Sequence, residues 1–465
     1  MAAPLSATIG LDLGTTSIKT GLLDDKGELL RIISHPAPEI AVNGGRYESD
    51  ALAYLAAVNR LLKECVAYAG SNPSLGLCCQ RSSFLIWDQA SGTPVTRLIS
   101  WQDNRGAVSC KVLQVEETGI RKLTGLRLTP YYFAPKVRLL LQEHPEWRAG
   151  LEQGDLLIGT LDSFLIWHWS DGCYHQTDVS MAARTLLMDI RNRQWSQTLC
   201  DLFEIPLQIL PKILPSSNLN LPLNNGCILQ ASVADQSAAL IASVSMDRPD
   251  ALVNLGTGGF VICYIPEPQS TATEGYLQTL VYQDSSRRTH IAAEGTINSI
   301  AAALAPYPFK ECRIEDLAAA DNIFCIAEPS GIGAPSFRDI PGIVFSQPVE
   351  HLTKHQVACL LLETIIFRVT RILHDFQRLY GIKHIHLSGG LAELPVLQQG
   401  IALCSGLEVY RLQQKDSSLQ GAAMLAADLP ADNIKAFKVQ IPGNSETLRD
   451  KYEHWKIWFD TFLNT

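Results

Sequence analysis

The first part of the chain alternates short apolar runs with polar turns, a pattern typical of paired β-strands. Ile9 to Leu13, Thr20 to Leu23 and Leu29 to Ile33 have strand character, and the turns between them contain Gly14 and the sequence DDKG. A helical period starts at Asp50, and the apolar run LGLCCQ then predicts a buried strand with a polar end. These elements together predict a mixed α/β lobe that begins with antiparallel strands.

The second half of the chain repeats this order of elements. The sequence NLGTGGF, starting at Asn254, has the strand, Gly-Thr turn and returning strand of DLGTTSI, which starts at Asp12. Such a duplication favours two related α/β lobes, each offering a glycine turn to one central cleft. We predict an N-terminal lobe over residues 1–245 and a C-terminal lobe over residues 246–465.

A long amphipathic helix is predicted over residues 353–380 in the second lobe. Thr353 and Gln356 have the spacing of a capping box, and Gly381 is placed to end the helix. The strand HIHLS follows and leads into a further glycine pair, Gly389–Gly390. The second lobe thus offers two glycine turns at strand ends.

Composition narrows the class of protein. The 465 residues are 46% hydrophobic and 18% charged, which is typical of a globular protein, and the net charge of -9 disfavours a nucleic-acid partner. The 12 cysteines lack zinc-ligand spacing, so we expect reduced, buried thiols and no metal cage. No segment has the apolar length of a membrane span, and no signal sequence precedes the first strand, so we expect a cytoplasmic protein without a membrane partner.

The glycine turns are candidate phosphate sites. Backbone N–H groups at Gly14–Ser17, Gly256–Gly259 and Gly389–Gly390 can converge on an anion, although each turn alone is also compatible with an ordinary hairpin. Asp12 ends an apolar strand, where a carboxylate is costly to bury unless it faces a cation such as Mg²⁺. Lys19 lies nearby and is either a phosphate ligand or a solvated strand residue.

Polar residues at two further strand ends suggest an acceptor pocket. Asp235 is a candidate general base, and the alternative is a helix N-cap. Arg81, in the sequence CQRSS, offers donors to sugar oxygens, and the alternative is a structural ion pair. Trp101 and Tyr131 would form a wall of this pocket unless they belong to the core.

Eleven segments that run in order along nearly the whole chain resemble the FGGY carbohydrate kinases, and within them the glycerol kinases. The segments are GLDLGTTSIKTGLLD, GRYESDALAYL, CCQRSSFLIWDQASGTPV with SWQDNR, TGLRLTPYYFAPKVRLLL, GTLDSFLIWHWSDGCYHQTDVSMAARTLLMDI, ILPKI, ADQSAAL, NLGTGGF, AEGTINSI, GIGAPSF and LSGGLAE.

The resemblance implies two actin-like (ribonuclease H-like) lobes with ATP, Mg²⁺ and a sugar or polyol in the cleft between them. It implies that Asp12 orients the hydrated metal and that Asp235 is the base for transfer of the γ-phosphoryl group to a terminal hydroxyl. The acceptor residues that it implies are Gln80, Arg81, Ser82, Trp101, Tyr131, Asp235 and Gln236. The nucleotide residues that it implies are Gly14, Thr15, Thr16, Ser17, Lys19, Gly256, Thr257, Gly258, Ser299, Gly389 and Gly390.

Three departures from the family pattern bear on the ligands. Ser82 stands where glycerol kinases have a glutamate, Ser388 stands where an aspartate is usual, and the segment LAELP lacks an asparagine expected near adenine. Glycerol is the first acceptor we expect, and a ketose or another polyol such as xylulose, ribulose or erythritol is the alternative. A degenerate kinase that only binds ligands and an actin- or chaperone-like ATPase are competing hypotheses. The family also implies a homodimer or homotetramer.

Overall fold

The computed structural model describes residues 8–267, 275–319, 322–340, 342–429, 435–441 and 446–464. The strands are β1 (Thr8–Leu13), β2 (Ser17–Leu23), β3 (Leu29–Pro36), β4 (Ala41–Asn43), β5 (Arg46–Ser49), β6 (Ser74–Cys79), β7 (Phe84–Asp88), β8 (Leu98–Ile99), β9 (Leu156–Thr160), β10 (Gln176–Asp178), β11 (Met188–Asp189), β12 (Gln194–Trp195), β13 (Lys212–Leu214), β14 (Ser217–Pro222), β15 (Ile228–Ala234), β16 (Asp250–Leu255), β17 (Gly259–Ile265), β18 (Leu277–Gln283), β19 (Thr289–Ile297), β20 (Cys325–Ile326), β21 (Val344–Phe345), β22 (His384–Ser388), β23 (Glu408–Leu412) and β24 (Ala436–Lys438).

The helices alternate with these strands in both halves of the chain. They are α1 (Ala51–Ala69), α2 (Ala107–Val112), α3 (Glu117–Thr124), α4 (Phe133–Glu143), α5 (Pro145–Gln153), α6 (Leu161–Trp169), α7 (Val179–Ala182), α8 (Gln197–Leu202), α9 (Asp235–Ser243), α10 (Ile300–Leu304), α11 (Lys354–Tyr380), α12 (Pro395–Ser405), α13 (Ser417–Ala426) and α14 (Glu446–Asn464).

Two large sheets share one topology. The first has the order β14-β15-β6-β1-β2-β3, with the hairpins of β1, β2 and β3 antiparallel and with β6 parallel to both β1 and β15. The second has the order β18-β19-β17-β16-β22-β23-β24, with antiparallel strands on one side of β16 and the parallel strands β22 and β23 on the other. The repeated actin-like arrangement predicted from DLGTTSI and NLGTGGF is confirmed.

Local sequence signals account for the long helix α11. Thr353 is its N-cap, and Thr353 and Gln356 form the predicted capping box, while Gly381 ends the helix with a left-handed φ of 71°. The apolar face of the helix is buried in the largest hydrophobic core, which also contains residues of β16, α12 and α14. The helix therefore organises the second half of the chain.

Helix α13 crosses from the second half of the chain to the first sheet. A Cβ placed on Gly76 of β6 would lie 2.0 Å from the carbonyl oxygen of Ala422, and one on Gly421 would lie 1.8 Å from that of Ala238 in α9. Because these positions have no side chain, backbone packs directly on backbone. The helix thereby joins the two halves behind the cleft.

The cysteines are free thiols, and all but Cys173 are buried, as the sequence predicted. Within the described ranges, none of the helices has the length and apolar character needed to cross a membrane.

Candidate active site

Three neighbouring parallel strands bring the predicted first-lobe residues to one edge of the first sheet. β1 ends at Leu13, β6 at Cys79 and β15 at Ala234, and these three ends are in register with one another. Because the carboxyl ends of parallel strands meet at one sheet edge, the Gly14 turn, the segment around Arg81 and Asp235 lie together there. The sequence placed each residue at a strand end, and the sheet order unites them.

Asp12 lies one residue before the end of β1 and is partly exposed to the cleft. Its Oδ2 accepts a hydrogen bond of 2.6 Å from the hydroxyl of Ser418 at the start of α13. Burial raises the pKa of Asp12 to about 6, and the negative charge of Asp235 adds to this shift. The two carboxylates therefore interact electrostatically, which makes their shared space favourable for a cation.

Thr15 connects the first glycine turn to the acceptor side of the cleft. Its hydroxyl donates to Oε1 of Gln80 at 3.0 Å and accepts from the indole N–H of Trp101 at 3.0 Å. Ser83 supports the same network, because its hydroxyl also donates to Oε1 of Gln80 at 3.0 Å. Thr16 is exposed and Ser17 begins β2, and the carbonyl oxygen of Ser17 accepts from the backbone N–H of Gly14 at 3.1 Å.

Asp235 is the first residue of α9, where its carboxylate accepts from the backbone N–H of Gln236 at 2.7 Å. The N-cap position belongs to Ala234, so the alternative that Asp235 serves as the N-cap is wrong. Nε of Arg81 lies 3.7 Å from Oδ1 of Asp235. Burial raises the pKa of Asp235, and the charges of Arg81 and Arg184 oppose that shift.

Sequence reasoning missed two charged residues beside Arg81. Glu294, from β19 of the second sheet, is buried, and its Oε2 lies 3.3 Å from Nη1 of Arg184 and 4.0 Å from Nη1 of Arg81. The guanidinium of Arg184 also lies over the ring of Tyr132, 5.5 Å from its centroid. The sequence signal for this cluster was a glutamate inside the apolar run of β19. Its partners Arg81 and Arg184 come from distant segments, so the sequence did not indicate the ion pairs.

Ser82 has a left-handed backbone, with φ of 63°, and is buried. Its hydroxyl donates to the carbonyl oxygen of Arg184 at 2.9 Å, so its proton is already engaged. Lys136, another residue that the sequence did not indicate, donates to the carbonyl oxygens of Ser82 at 3.3 Å and Ser100 at 3.0 Å. Burial lowers the pKa of Lys136 to about 7.

The aromatic pair of the acceptor side is accessible. Trp101 is 38% exposed and Tyr131 is 52% exposed, so the alternative that they belong to the core is wrong. Their ring centroids are 6.4 Å apart. Oε1 of Gln236 is buried and, among the described residues, has no hydrogen-bond partner. A small polar molecule beside these groups would supply the missing donor.

A buried network that the sequence did not reveal fixes the strand end before Asp235. The carboxylate of Asp178 accepts from the hydroxyl of Ser180 at 3.0 Å and from that of Ser216 at 2.6 Å. Oγ of Ser180 in turn accepts from the backbone N–H of Ala234 at 2.7 Å. The residue before Asp235 is therefore held by a side-chain acceptor from α7.

The second sheet supplies two turns in the same manner. β16 ends at Leu255 and its parallel neighbour β22 ends at Ser388, which pairs with Asn254. Gly389 has φ of 94°, and a Cβ there would lie 2.4 Å from the carbonyl oxygen of Leu255. Only glycine fits this turn, which therefore packs directly against the Gly256 turn.

The other residues that the sequence predicts to bind nucleotide lie in or near these turns. Thr257 is exposed, Gly256 and Gly258 close their turn through a hydrogen bond of 2.8 Å, and no atom would lie within 4 Å of a Cβ on Gly390. Ser299, with φ of 54°, contacts the hydroxyl of Ser330. Lys19 is partly exposed and forms an ion pair of 2.7 Å with Asp416 beside α13.

Comparison with known proteins decides the family. The model of the FGGY family of carbohydrate kinases, N-terminal domain, matches residues 7–232, and the model of its C-terminal domain matches residues 251–428. The chain belongs to the FGGY family of carbohydrate kinases. It is therefore a phosphotransferase that uses ATP and acts on an alcohol group of a small sugar or polyol.

Individual FGGY kinases resemble it over almost their whole length. A glycerol kinase of Mycoplasma genitalium is 30% identical, with 90% of this chain and 88% of that protein aligned. A crystal structure of Plasmodium falciparum glycerol kinase with ADP has a TM-score of 0.86 at 22% identity and covers 98% of both chains. A xylulose kinase of Rhodospirillum rubrum has a TM-score of 0.84 at 18% identity, covering 99% of this chain and all of that chain. The fold is thus shared by kinases named for different substrates.

Proposed function

We propose that this FGGY kinase transfers the γ-phosphoryl group of ATP to a terminal hydroxyl of a small polyol, with glycerol as the first acceptor. The observation that carries the proposal is the position of Asp235. Its carboxylate lies at a parallel strand end, partly exposed to the cleft and 3.7 Å from Arg81. The curated relatives named as glycerol kinases support the choice of acceptor.

Asp235 serves as the general base in this proposal. The acceptor hydroxyl beside Asp235 gives its proton to the carboxylate while the hydroxyl oxygen attacks the γ-phosphorus of ATP. The bond between the γ-phosphorus and the bridging oxygen breaks, and ADP leaves. Burial raises the pKa of Asp235, which strengthens it as a base. Arg81 and the free acceptor oxygen of Gln236 hold the other hydroxyls, so the reacting oxygen is oriented toward the phosphate.

The glycine turns bind the phosphates in this proposal. The exposed hydroxyls of Thr16 and Thr257 come from opposite lobes and donate to phosphate oxygens, as do backbone N–H groups of the turns other than those of Gly14 and Gly256, which bond within their turns. Asp12 has the chemistry of a magnesium site, because its burial without a cation is unfavourable and its neighbour Asp235 adds negative charge. Asp12 would hold the hydrated Mg²⁺, which would supply positive charge to the phosphates.

Ser82 supports a second class of acceptor. A glutamate here would accept two polyol hydrogen bonds, whereas the Ser82 hydroxyl is engaged with the carbonyl of Arg184. The acceptor pocket therefore relies on Arg81, Gln236 and Asp235 for its polar contacts. The acceptor specificity of this enzyme is therefore expected to differ from that of glycerol kinases that have the glutamate. A ketose or a longer polyol is the second candidate acceptor.

The experiment is ADP release with ATP and Mg²⁺ across glycerol, erythritol, ribitol, xylulose and ribulose. We expect turnover with one acceptor, and a decrease of about 100- to 10,000-fold in the Asp235→Asn variant with ATP binding preserved. Acceptor-independent hydrolysis would instead support the ATPase hypothesis, and ligand binding without turnover would support a binding protein. Light scattering of the same samples tests the proposed dimer or tetramer.

A further inference from the structure

A cluster of metal-ligating side chains lies outside the cleft residues, in the second half of the chain. It consists of Cys312, His355 and Cys359, whose ligand atoms all lie within 4.8 Å of one another. His355 and Cys359 are four residues apart in α11 and so share one face of that helix. Cys312 follows the 3-10 turn Phe309–Glu311 and reaches the same face.

The spacing of the atoms around Cys359 is close to that of tetrahedral zinc. Sγ of Cys359 lies 3.6 Å from Sγ of Cys312 and 3.9 Å from Nδ1 of His355. Zinc bonds of about 2.3 Å to sulfur and about 2.0 Å to nitrogen place two sulfurs about 3.8 Å apart and a sulfur and a nitrogen about 3.6 Å apart. Two of the three pairs are therefore close to the spacing that zinc requires, and the third pair, Cys312 and His355, lies within 4.8 Å and would close on the ion.

Asp316 completes the arrangement around the imidazole. Its Oδ2 lies 3.6 Å from Nε2 of His355, on the side of the ring opposite to Nδ1. Zinc-binding histidines commonly donate their second N–H to a carboxylate, which fixes the tautomer and the ring orientation. The 3.6 Å separation is longer than a hydrogen bond, so Asp316 would become a positioning residue when zinc binding brings the ring closer, and Nδ1 faces Cys359.

We propose that Cys312, Cys359 and Nδ1 of His355 bind one zinc ion, with the fourth position taken by water. Two thiolates and an imidazole are the ligands of a borderline-soft cation and exclude Mg²⁺ or Ca²⁺ as the preferred ion. Zinc binds cysteine as the thiolate, so binding would release the two thiol protons. The proposal departs from the sequence expectation of no metal cage, because Cys312 is 43 residues from His355 and the two form no short motif.

A zinc ion at this site would link the segment around Cys312 to the first turns of α11. Further along this helix, Arg368 is fully buried and its Nε donates to Oε1 of Glu328 at 2.6 Å. Glu328 also accepts from the backbone N–H of Gly333, in the segment GIGAPSF, at 2.7 Å. Zinc would thus stabilise the start of α11, and the middle of the same helix holds the GIGAPSF segment through Arg368 and Glu328.

The test uses the full chain, purified in reductant, stripped with a chelator and titrated with Zn²⁺ against a chromophoric competitor. We expect one equivalent of bound zinc and a higher thermal midpoint, and Co²⁺ in its place is expected to give thiolate-to-cobalt charge-transfer absorbance. Cys359→Ser and His355→Ala are expected to lose the stoichiometric zinc and the absorbance. The matched control His351→Ala alters an exposed histidine just before α11 and is expected to keep both.

Asp316→Asn separates a positioning role from a purely structural one. We expect it to weaken zinc binding about 10- to 100-fold while the cobalt absorbance remains, because the three ligands are unchanged. His355→Cys is expected to restore the absorbance that His355→Ala lacks. The proposal is overturned if wild type and Cys359→Ser bind zinc equally, or if the reduced wild type binds no zinc. This holds whether or not Cys312 and Cys359 are then found as a disulfide.

Discussion

Asp12 illustrates how a residue suited to catalysis works against folding. Its pKa rises from 3.8 to about 6 on folding because the carboxylate loses water. The folded protein therefore holds this proton more tightly, so the contribution of Asp12 to stability is greatest below pH 3.8 and is lost as the pH rises through about 6. A shift of about two units corresponds to about 3 kcal/mol, which partial exposure in the cleft reduces to about 1–2 kcal/mol.

Asp12→Asn is expected to raise the free energy of unfolding at pH 7.5 by about 1–2 kcal/mol, since the amide carries no charge and still accepts from Ser418. Urea unfolding at pH 7.5 and pH 4 measures this, and the gain should shrink at pH 4. Turnover is expected to fall about 10- to 100-fold, because the variant cannot orient a hydrated cation. A variant that is less stable than the wild type at pH 7.5 would contradict this account of Asp12.

At the scale of elements, the start of α9 depends on α7. Hydrogen bonds from Ser180 to Asp178 and from the N–H of Ala234 to Ser180 hold the end of β15. Asp235 is the next residue. The sheet brings Asp235 near Arg81, but this short network sets its final position. Ser180 is therefore a positioning residue that does not itself touch the reacting atoms.

Ser180→Ala is expected to lower kcat about 10- to 100-fold with a smaller change in the KM for ATP, because Asp235 shifts while the phosphate turns stay in place. The unpaired N–H of Ala234 should also reduce stability by about 1–3 kcal/mol. Ser243→Ala is the matched control, because Ser243 is buried in α9 and its hydroxyl has no partner among the described residues. Equal kcat values for the two variants would rule out the positioning role.

At the scale of the whole molecule, α13 couples the two lobes to the proposed phosphate site. Gly421 packs its backbone on α9, while Ser418 at the start of the helix binds Asp12 and Asp416 binds Lys19. Any displacement of α13 therefore changes both the lobe interface and the first glycine turn. The division of the chain at residues 245 and 246 stays a prediction, and α13 ties the two predicted domains together.

Gly421→Ala is expected to destabilise the protein by about 1–3 kcal/mol and to raise the KM for ATP, because the new methyl group would meet the carbonyl of Ala238. Thermal unfolding and steady-state kinetics measure the two effects. Gly119→Ala is the control, since Gly119 lies in α3 with open space around its Cβ position. If the two variants behave alike, the close approach at Gly421 does not matter to the protein.

Sequence patterns predicted the parts of this protein that depend on neighbours in the chain. The strand ends, the turns at Gly14 and Gly256, and the capped helix α11 all follow from local signals. Arg184, Glu294 and the Asp178 network were missed, because their roles arise from contacts between segments far apart in sequence. Ser82 shows both aspects, since its unusual identity was visible but its bond to the carbonyl of Arg184 was not.

The position of α13 also bears on how the chain folds during synthesis. When a ribosome has released residues 1–245, the strands around Gly10 and Gly76 exist, but the helix that covers them lies more than 170 residues downstream. The first sheet therefore exposes an apolar face until the second half emerges, because contacts of such sequence separation form late. We expect nascent chains stalled after residue 245 to be protease-sensitive and to engage chaperones, and chains extended beyond residue 426 to become resistant.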